Sequence, residues 1–75
     1  MNATYLTTDE LAKRIKYESR TIRETLKDSV LLEGVHYFRP FGGRKILYIW
    51  ERVEELMLEH AGVAPLSYPI NKGGR

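Results

Sequence analysis

The most chemically distinctive stretch of the chain is residues 39–45, RPFGGRK, in which two glycines lie between cationic side chains. Glycine lets a backbone approach a phosphate closely, and a neighbouring Arg or Lys neutralises the phosphate charge. A nucleotide-binding loop of this composition leads from a strand into a helix, whose first amides contact the phosphate. Here the glycines lead from one strand-like run into another, without a Walker lysine or the Rossmann glycine spacing. The stretch therefore predicts either a contact with a phosphate polymer or a surface hairpin whose charges are only solvated.

A second cationic group lies earlier in the chain, in a segment with helical periodicity. At 100° per residue, Arg20, Arg23 and Lys27 lie within roughly 60° of one another, and the apolar residues lie on the other side. Such a face fits a major groove, where Arg reaches guanine edges or phosphates and a residue such as Thr21 bonds a phosphate or base edge. A solvated helix face carries the same pattern, so the stripe alone decides nothing.

Side chains for catalysis or metal binding are sparse. The chain has no cysteine and two histidines, His36 and His60. His36 falls in a strand-like run near Glu33, and His60 ends an apolar stripe, which is typical of a partly buried core residue. No nucleophile, base and orienting group can be assembled from these residues. We therefore expect a binding protein rather than an enzyme, with no catalytic residue, no metal, no cofactor and no small-molecule substrate.

Length and composition predict one small folded unit. A 75-residue chain buries only about 60% of its unfolded surface, which argues against a deep cleft. The net charge is only +2, but residues 29–50 hold three basic residues and one acid, so the middle of the chain is its cationic part. The N-terminus lacks the pattern of a secretory signal, and no apolar run approaches the ~18 residues of a membrane span. We expect a cytoplasmic protein without a membrane partner.

The first two helices have clear start signals. The run TTDE is a capping-box pattern, in which Thr7 and Glu10 each bond the other's backbone amide, so a helix is expected over 8–15. Ser19 is a good N-cap for a second helix that ends near Lys27.

The second half of the chain predicts a hairpin and a third helix. Aromatic and β-branched runs at 35–39 and 45–50 flank the glycines, and a short strand at 5–6 is placed to pair with them. A helix over 51–60 has an acidic outer face, and a folded domain over 1–60 is followed by a flexible tail over 61–75. The residues expected in the core are Leu6, Leu11, Ala12, Ile15, Ile22, Leu26, Leu31, Phe38, Leu47, Ile49, Val53, Leu56 and Met57, with Tyr17 and Trp50 at its edge.

Together these segments resemble the excisionase-type winged helix-turn-helix proteins of phages and prophages, small relatives of the MerR-like DNA-binding fold. The resemblance covers residues 5–58 and is carried by YLTTDELA at 5–12, SRTI at 19–22, GVHYFRP at 34–40, GR at 43–44 and ILY at 46–48. The family usually has a glycine in the turn between its first two helices, where this chain has Lys16.

The resemblance implies an α+β fold, namely a small winged helix-turn-helix domain with three helices and a β-hairpin wing. It also implies a recombination directionality factor, which binds attachment-site DNA and assists a tyrosine-family integrase in prophage excision without strand chemistry of its own. The implied partners are double-stranded DNA, the integrase and further copies of the protein, and DNA binding would associate it with the bacterial nucleoid. The residues carried over to the recognition helix, which reads the major groove, are Arg20, Thr21, Arg23 and Lys27. Those carried over to the wing, beside the minor groove, are Arg39, Gly42, Gly43, Arg44 and Lys45.

Two other functions fit the same pattern. A small phage or prophage transcriptional regulator would use the same residues on an operator. A winged-helix protein-interaction module would keep the fold without binding DNA, and Glu18 and Glu24 beside the cationic stripe favour that alternative. The tail over 61–75 is expected either to become ordered on a protein partner or to have no function.

Overall fold

The computed structural model describes residues 2–63, so the expected tail from residue 64 onward lies outside the described residues. Within that range, three helices and a three-stranded antiparallel sheet follow in the order β1, α1, α2, β2, β3, α3. The strands are β1 (Tyr5–Leu6), β2 (Tyr37–Phe38) and β3 (Leu47–Ile49). The helices are α1 (Thr8–Ile15), α2 (an α-helical turn, Ser19–Thr21, continued by a π-helical segment, Ile22–Leu26) and α3 (Trp50–Ala61). The expected α+β class is therefore confirmed, because the fold combines helices with an antiparallel sheet.

Helix α1 begins and ends through local interactions. The Thr7 hydroxyl accepts the Glu10 amide at 3.1 Å, and the Glu10 carboxylate accepts the Thr7 amide at 2.9 Å, so the expected capping box is confirmed. The helix ends at Lys16, which has the left-handed conformation (φ 68°, ψ 36°) that favours glycine. A lysine therefore makes the turn in which a glycine is the usual residue.

Helix α2 differs from its prediction at its start and in its type of helix, and it ends near the predicted residue. Ser19 is not the N-cap, since Glu18 occupies that position and the Ser19 hydroxyl donates to a carboxylate oxygen of Asp9 at 2.6 Å. The helix ends at Leu26, because Lys27 has extended backbone (ψ 132°) and its amide donates to the Ile22 carbonyl at 2.8 Å. This bond spans five residues, so the 100° rotation of an α-helix does not hold in the segment.

The sheet joins the chain's N-terminus to the hairpin. Strand β3 lies in the centre, between β1 and β2, so the short first strand does pair with the hairpin as expected. In the register, Tyr48 lies opposite Leu6 on one side and opposite Tyr37 on the other. Residues 39–46 form the loop between β2 and β3, and we call them the hairpin loop.

The side of the hairpin that packs against the helices was predicted wrongly. Phe38, Leu47 and Ile49 are only partly buried, whereas Tyr37 and Tyr48 are fully buried with their ring centroids 5.5 Å apart. Both faces of these strands are apolar, so alternation does not distinguish them. The hydrophobic residues that are buried within the described range are Leu6, Leu11, Ala12, Ile22, Leu31, Tyr37, Tyr48 and Val53.

The core is left open on one side, between the end of α2 and α3. An apolar groove of about 420 Å³ lies there and is lined by Leu26, Leu56 and Met57 among others, so these expected core residues are only half-buried. His60 at its rim is exposed, and so is Tyr17, with 53% of its surface accessible. The expectation of a partly buried His60 was wrong because α3 continues past the core to Gly62, where a left-handed φ of 72° ends it. None of the helices within residues 2–63 is both long enough and apolar enough to cross a membrane.

Candidate nucleic-acid interface

The two cationic groups of the sequence meet in one open groove. It has a volume of about 470 Å³ and lies between α2, the hairpin loop and the start of α1. We call it the cationic groove. Its lining residues are Thr7, Thr8, Asp9, Arg23, Lys27, Arg39, Arg44, Lys45 and Ile46. Five cationic side chains and one carboxylate therefore surround the same space.

Helix α2 contributes Arg23 and Lys27. The Arg23 side chain is exposed and has no ion pair among residues 2–63. The Lys27 ammonium lies 3.0 Å from a carboxylate oxygen of Asp28 and 5.2 Å from the ring centroid of Tyr37. Its hydrogen bond to Asp28 raises the pKa of Lys27, and burial acts in the opposite direction. Lys27 therefore remains positively charged but is held in place.

A short network around Asp28 positions that lysine. Asp28 has a left-handed φ of 67°, and its carboxylate accepts the Tyr37 hydroxyl as well as the Lys27 ammonium. The bond from Tyr37, followed by the one from Lys27, lowers the pKa of Asp28. The same bond to Asp28, together with burial, raises the pKa of Tyr37. The end of α2 is thus tied to strand β2, and the groove wall is fixed.

In the hairpin loop, Arg39 acts as a brace. Its guanidinium donates to the carbonyl of Gly43 at 3.2 Å, to the carbonyl of Arg44 at 3.3 Å and to Glu33 at 3.1 Å. Arg39 thus lines the groove while it holds the loop closed. Arg44 and Lys45 are exposed and have no ion pair within the part of the chain that is described.

The two glycines of the loop differ in what they do. Gly42 has a φ of 75°, and its amide donates to the Arg39 carbonyl at 3.1 Å, which closes a four-residue turn with Pro40 and Phe41 in the middle. Gly43 has no such φ, and open space surrounds the position of its missing Cβ. The left-handed φ therefore favours glycine at position 42 and not at position 43.

Four of the expected site residues lie outside the groove lining, namely Arg20, Thr21 and the two loop glycines, Gly42 and Gly43. Arg20 pairs with Glu24 at 3.2 Å, and both side chains are largely exposed. Thr21 is half-buried and is not among the groove residues. The π-helical segment follows Thr21, so Arg23 and Lys27 do not continue a single stripe from Arg20. The structure brings together Arg23, Lys27, Arg39, Arg44 and Lys45, and not Arg20 or Thr21.

The start of α1 contributes residues that the sequence indicated only as helix caps. Thr7, Thr8 and Asp9 line the groove beside the cations. Asp9 accepts a hydrogen bond from the hydroxyl of Ser19, so the start of α2 is bonded to a residue of α1 that lines the groove. The capping-box pattern located these side chains in a helix start, but nothing in it indicated that the hairpin loop would lie opposite.

The buried histidine, His36, has the contacts of a residue that stabilises the fold. His36 is only 8% exposed, and its Nδ1 accepts the Leu32 amide at 3.0 Å. Burial, together with the positive charge of Arg52, lowers the pKa of His36. Within residues 2–63, no three side chains of His, Asp or Glu are arranged to hold a metal ion.

Comparison of the chain with protein-family models, with curated proteins and with solved structures found no match. The functional assignment therefore depends on the cationic groove and on the resemblance of the sequence motifs.

Proposed function

We propose that this protein binds double-stranded DNA as a winged helix-turn-helix domain and acts as an excisionase. The observation that carries the proposal is the meeting of α2 and the hairpin loop in the cationic groove. Cations that are distant in sequence share one surface there, next to a helix that is small enough for a major groove.

The arrangement of the helices supports a helix-turn-helix. Only residues 16–18 separate α1 from α2, which is the length of turn that this motif uses. The Ser19 bond to Asp9 holds the two helices together at their start. In the proposed complex, α2 occupies the major groove and the hairpin loop is the wing at the adjacent minor groove.

The exposed cations favour a polymer over a small phosphate compound. Arg23, Arg44 and Lys45 project from two different elements and are all exposed. A small anion is held by several donors that converge on one point, whereas a phosphate backbone is matched by cations spaced along a surface. The groove therefore suits a duplex, with Arg23 on its major-groove side and Arg44 on its wing side.

The roles of the remaining residues follow from their contacts. Lys27 and Arg39 have partners in the protein, so we assign them to shaping the groove, with phosphate contact as a secondary role. Arg20 is paired with Glu24 outside the groove, so we do not assign it to the DNA contact. The acidic side chains of α3, such as Glu55 and Glu59, are exposed and do not line the groove, so they do not oppose a bound polyanion there.

DNA binding is tested by electrophoretic mobility shift at two salt concentrations. We expect salt-sensitive binding by the wild type and weaker binding by Arg23→Ala and Arg44→Ala. Lys13→Ala is the matched control, because Lys13 is an exposed cation of α1 outside the groove. The proposal would be contradicted by binding that does not depend on salt concentration, or by equal losses of affinity in all three variants.

Excision is tested by a separate experiment. A plasmid that carries two attachment sites and a tyrosine-family integrase gene reports excision in cells, with and without the protein. We expect excision to require the protein and to fall in Arg44→Ala. If excision proceeds equally without it while a neighbouring promoter is repressed, the transcriptional-regulator function is the correct one.

A further inference from the structure

The tip of the hairpin loop exposes a large apolar side chain. Phe41 is 97% exposed, the highest value among the large hydrophobic residues of the described range. A single exposed apolar residue is common on protein surfaces and has no meaning alone. Two further features of the loop distinguish Phe41.

The first feature is the restricted backbone of the turn that carries Phe41. Phe41 lies between Pro40, whose ring restricts φ, and Gly42, whose amide closes the turn onto the Arg39 carbonyl at 3.1 Å. The Arg39 guanidinium then bonds the carbonyls of Gly43 and Arg44, so the loop is braced from inside. The backbone of such a turn loses little conformational entropy when Phe41 enters a partner.

The second feature is the charge beside it. Arg44 and Lys45 follow the turn and line the cationic groove, whereas Phe41 does not belong to the groove lining. The loop therefore carries cations on its groove side and an apolar side chain at its end. Proteins that bend DNA through the minor groove combine these two elements, because cations hold the backbone while an apolar wedge separates two base pairs.

We propose that Phe41 inserts between two adjacent base pairs from the minor groove, unstacks them and bends the duplex toward the major groove. This inference rests on the proposed function, since it places the wing at a duplex. Insertion is easiest at pyrimidine–purine steps such as TA, which are readily unstacked, and hardest in stiff A-tracts. Phe41 would therefore make affinity depend on how deformable the DNA is.

The test uses two end-labelled duplexes of equal length, one of alternating TA steps and one an A-tract, both at low salt. Fluorescence energy transfer between the ends reports bending, and titration reports affinity. We expect the wild type to bend the TA duplex, and Phe41→Ala to lose the bend and about tenfold in affinity, since stacking of an aromatic ring on a base contributes ~1–3 kcal/mol. Phe41→Leu, which keeps an apolar wedge, should retain part of the bend.

Two controls separate wedge insertion from other effects. Phe41→Ala should unfold at the same temperature as the wild type, because the ring is 97% exposed. It should also keep the wild-type dependence of affinity on salt, because no charge is removed. Arg44→Ala should show the converse, with a weaker salt dependence and a retained bend at saturation.

The outcomes distinguish the two proposals. If the wild type binds the duplexes in a salt-sensitive way and Phe41→Ala bends them equally, the wedge is refuted while DNA binding stands. If the wild type does not bind either duplex, the proposed function fails and the wedge fails with it. If Phe41 is instead required for sedimentation with vesicles of phosphatidylcholine and phosphatidylserine, and not for bending, the partner is an anionic membrane and the inference is wrong.

Discussion

One buried core residue, Tyr48, has a polar group that lowers the stability of the fold. The Tyr48 ring is fully buried, and its hydroxyl has no hydrogen-bond partner within residues 2–63. Burial raises the pKa of Tyr48, and the positive charge of Lys27 and the Thr8 hydroxyl act in the opposite direction, but no hydrogen bond of acceptable geometry forms between Thr8 and Tyr48. Tyr37 lies directly opposite and donates to Asp28, so the pair contains one satisfied and one unsatisfied hydroxyl.

We expect Tyr48→Phe to leave stability unchanged or to raise it by about 1 kcal/mol, because a buried hydroxyl without a partner costs ~1–3 kcal/mol. Urea denaturation measures the free energy of unfolding. Tyr37→Phe is the matched control and should destabilise the protein, since it removes a bond to a charged acceptor. A loss for Tyr48→Phe as large as that for Tyr37→Phe would show that its hydroxyl does have a partner.

His36 should make stability depend on pH. Its Nδ1 accepts an amide proton, and burial lowers its pKa from the ordinary value of 6.5, so the folded protein favours the neutral form. The unfolded chain then binds more protons, and the stability that comes from His36 is complete above pH 6.5 and is lost as the pH falls through the lowered pKa. We expect His36→Gln to show a smaller decrease in the free energy of unfolding between pH 7.5 and pH 5. Equal decreases in both proteins would assign the pH dependence to other groups.

The elements differ in how well the sequence predicted them. Helix α1 was predicted to the residue because its capping box is a local pattern within four positions. Helix α2 was not predicted to the residue. Its Ser19 bonds Asp9 of another helix and its last turn is π-helical, and the residues of the segment alone indicate neither feature. The hairpin was predicted, but its core-facing side was reversed, since Tyr37 and Phe38 are both suitable for burial.

The turn between α1 and α2 offers a test at the level of elements. Lys16 has a left-handed φ of 68°, which costs a side chain about 1–2 kcal/mol relative to glycine. Lys16→Gly should therefore raise the free energy of unfolding by roughly 0.5–1 kcal/mol, after the greater entropy of glycine in the unfolded chain is subtracted. Lys13→Gly, inside α1, removes the same charge and should destabilise by about 1 kcal/mol. Destabilisation by both would mean that the Lys16 side chain has a stabilising contact.

Across the whole molecule, the cationic groove sets the expected strength of electrostatic binding. Five cations line it, but Lys27 and Arg39 have partners within the protein. If only the three groove cations without an ion pair among residues 2–63 release counterions, log affinity should fall with log salt at a slope of about −3, and about −4.5 if all five do so. If all six cations that the sequence indicated for the interface met phosphates, Arg20 included, the slope would be roughly −5.

We expect the shallower slope, and a decrease in its magnitude of about 0.9 for Arg23→Gln or Arg44→Gln. Arg20→Gln is the control, because Arg20 is paired with Glu24 outside the groove. Titration of one duplex at four or more salt concentrations gives the slopes. If the wild-type slope is near −5 and its magnitude decreases in Arg20→Gln, Arg20 contacts the DNA after all.

The sequence by itself determined the start of α1, the hairpin and the cationic character of its loop, because caps, glycines and charges act over a few neighbouring residues. Only the tertiary structure decided which cations share a surface. That depends on how the loop at 39–46 packs beside α2, residues that are far apart in the chain and are joined through the contacts of Asp28 with Tyr37 and Lys27. The same packing left Arg20 outside, turned Arg39 into a brace and left Phe41 exposed at the tip, since side-chain partners are chosen by the folded arrangement and not by sequence spacing.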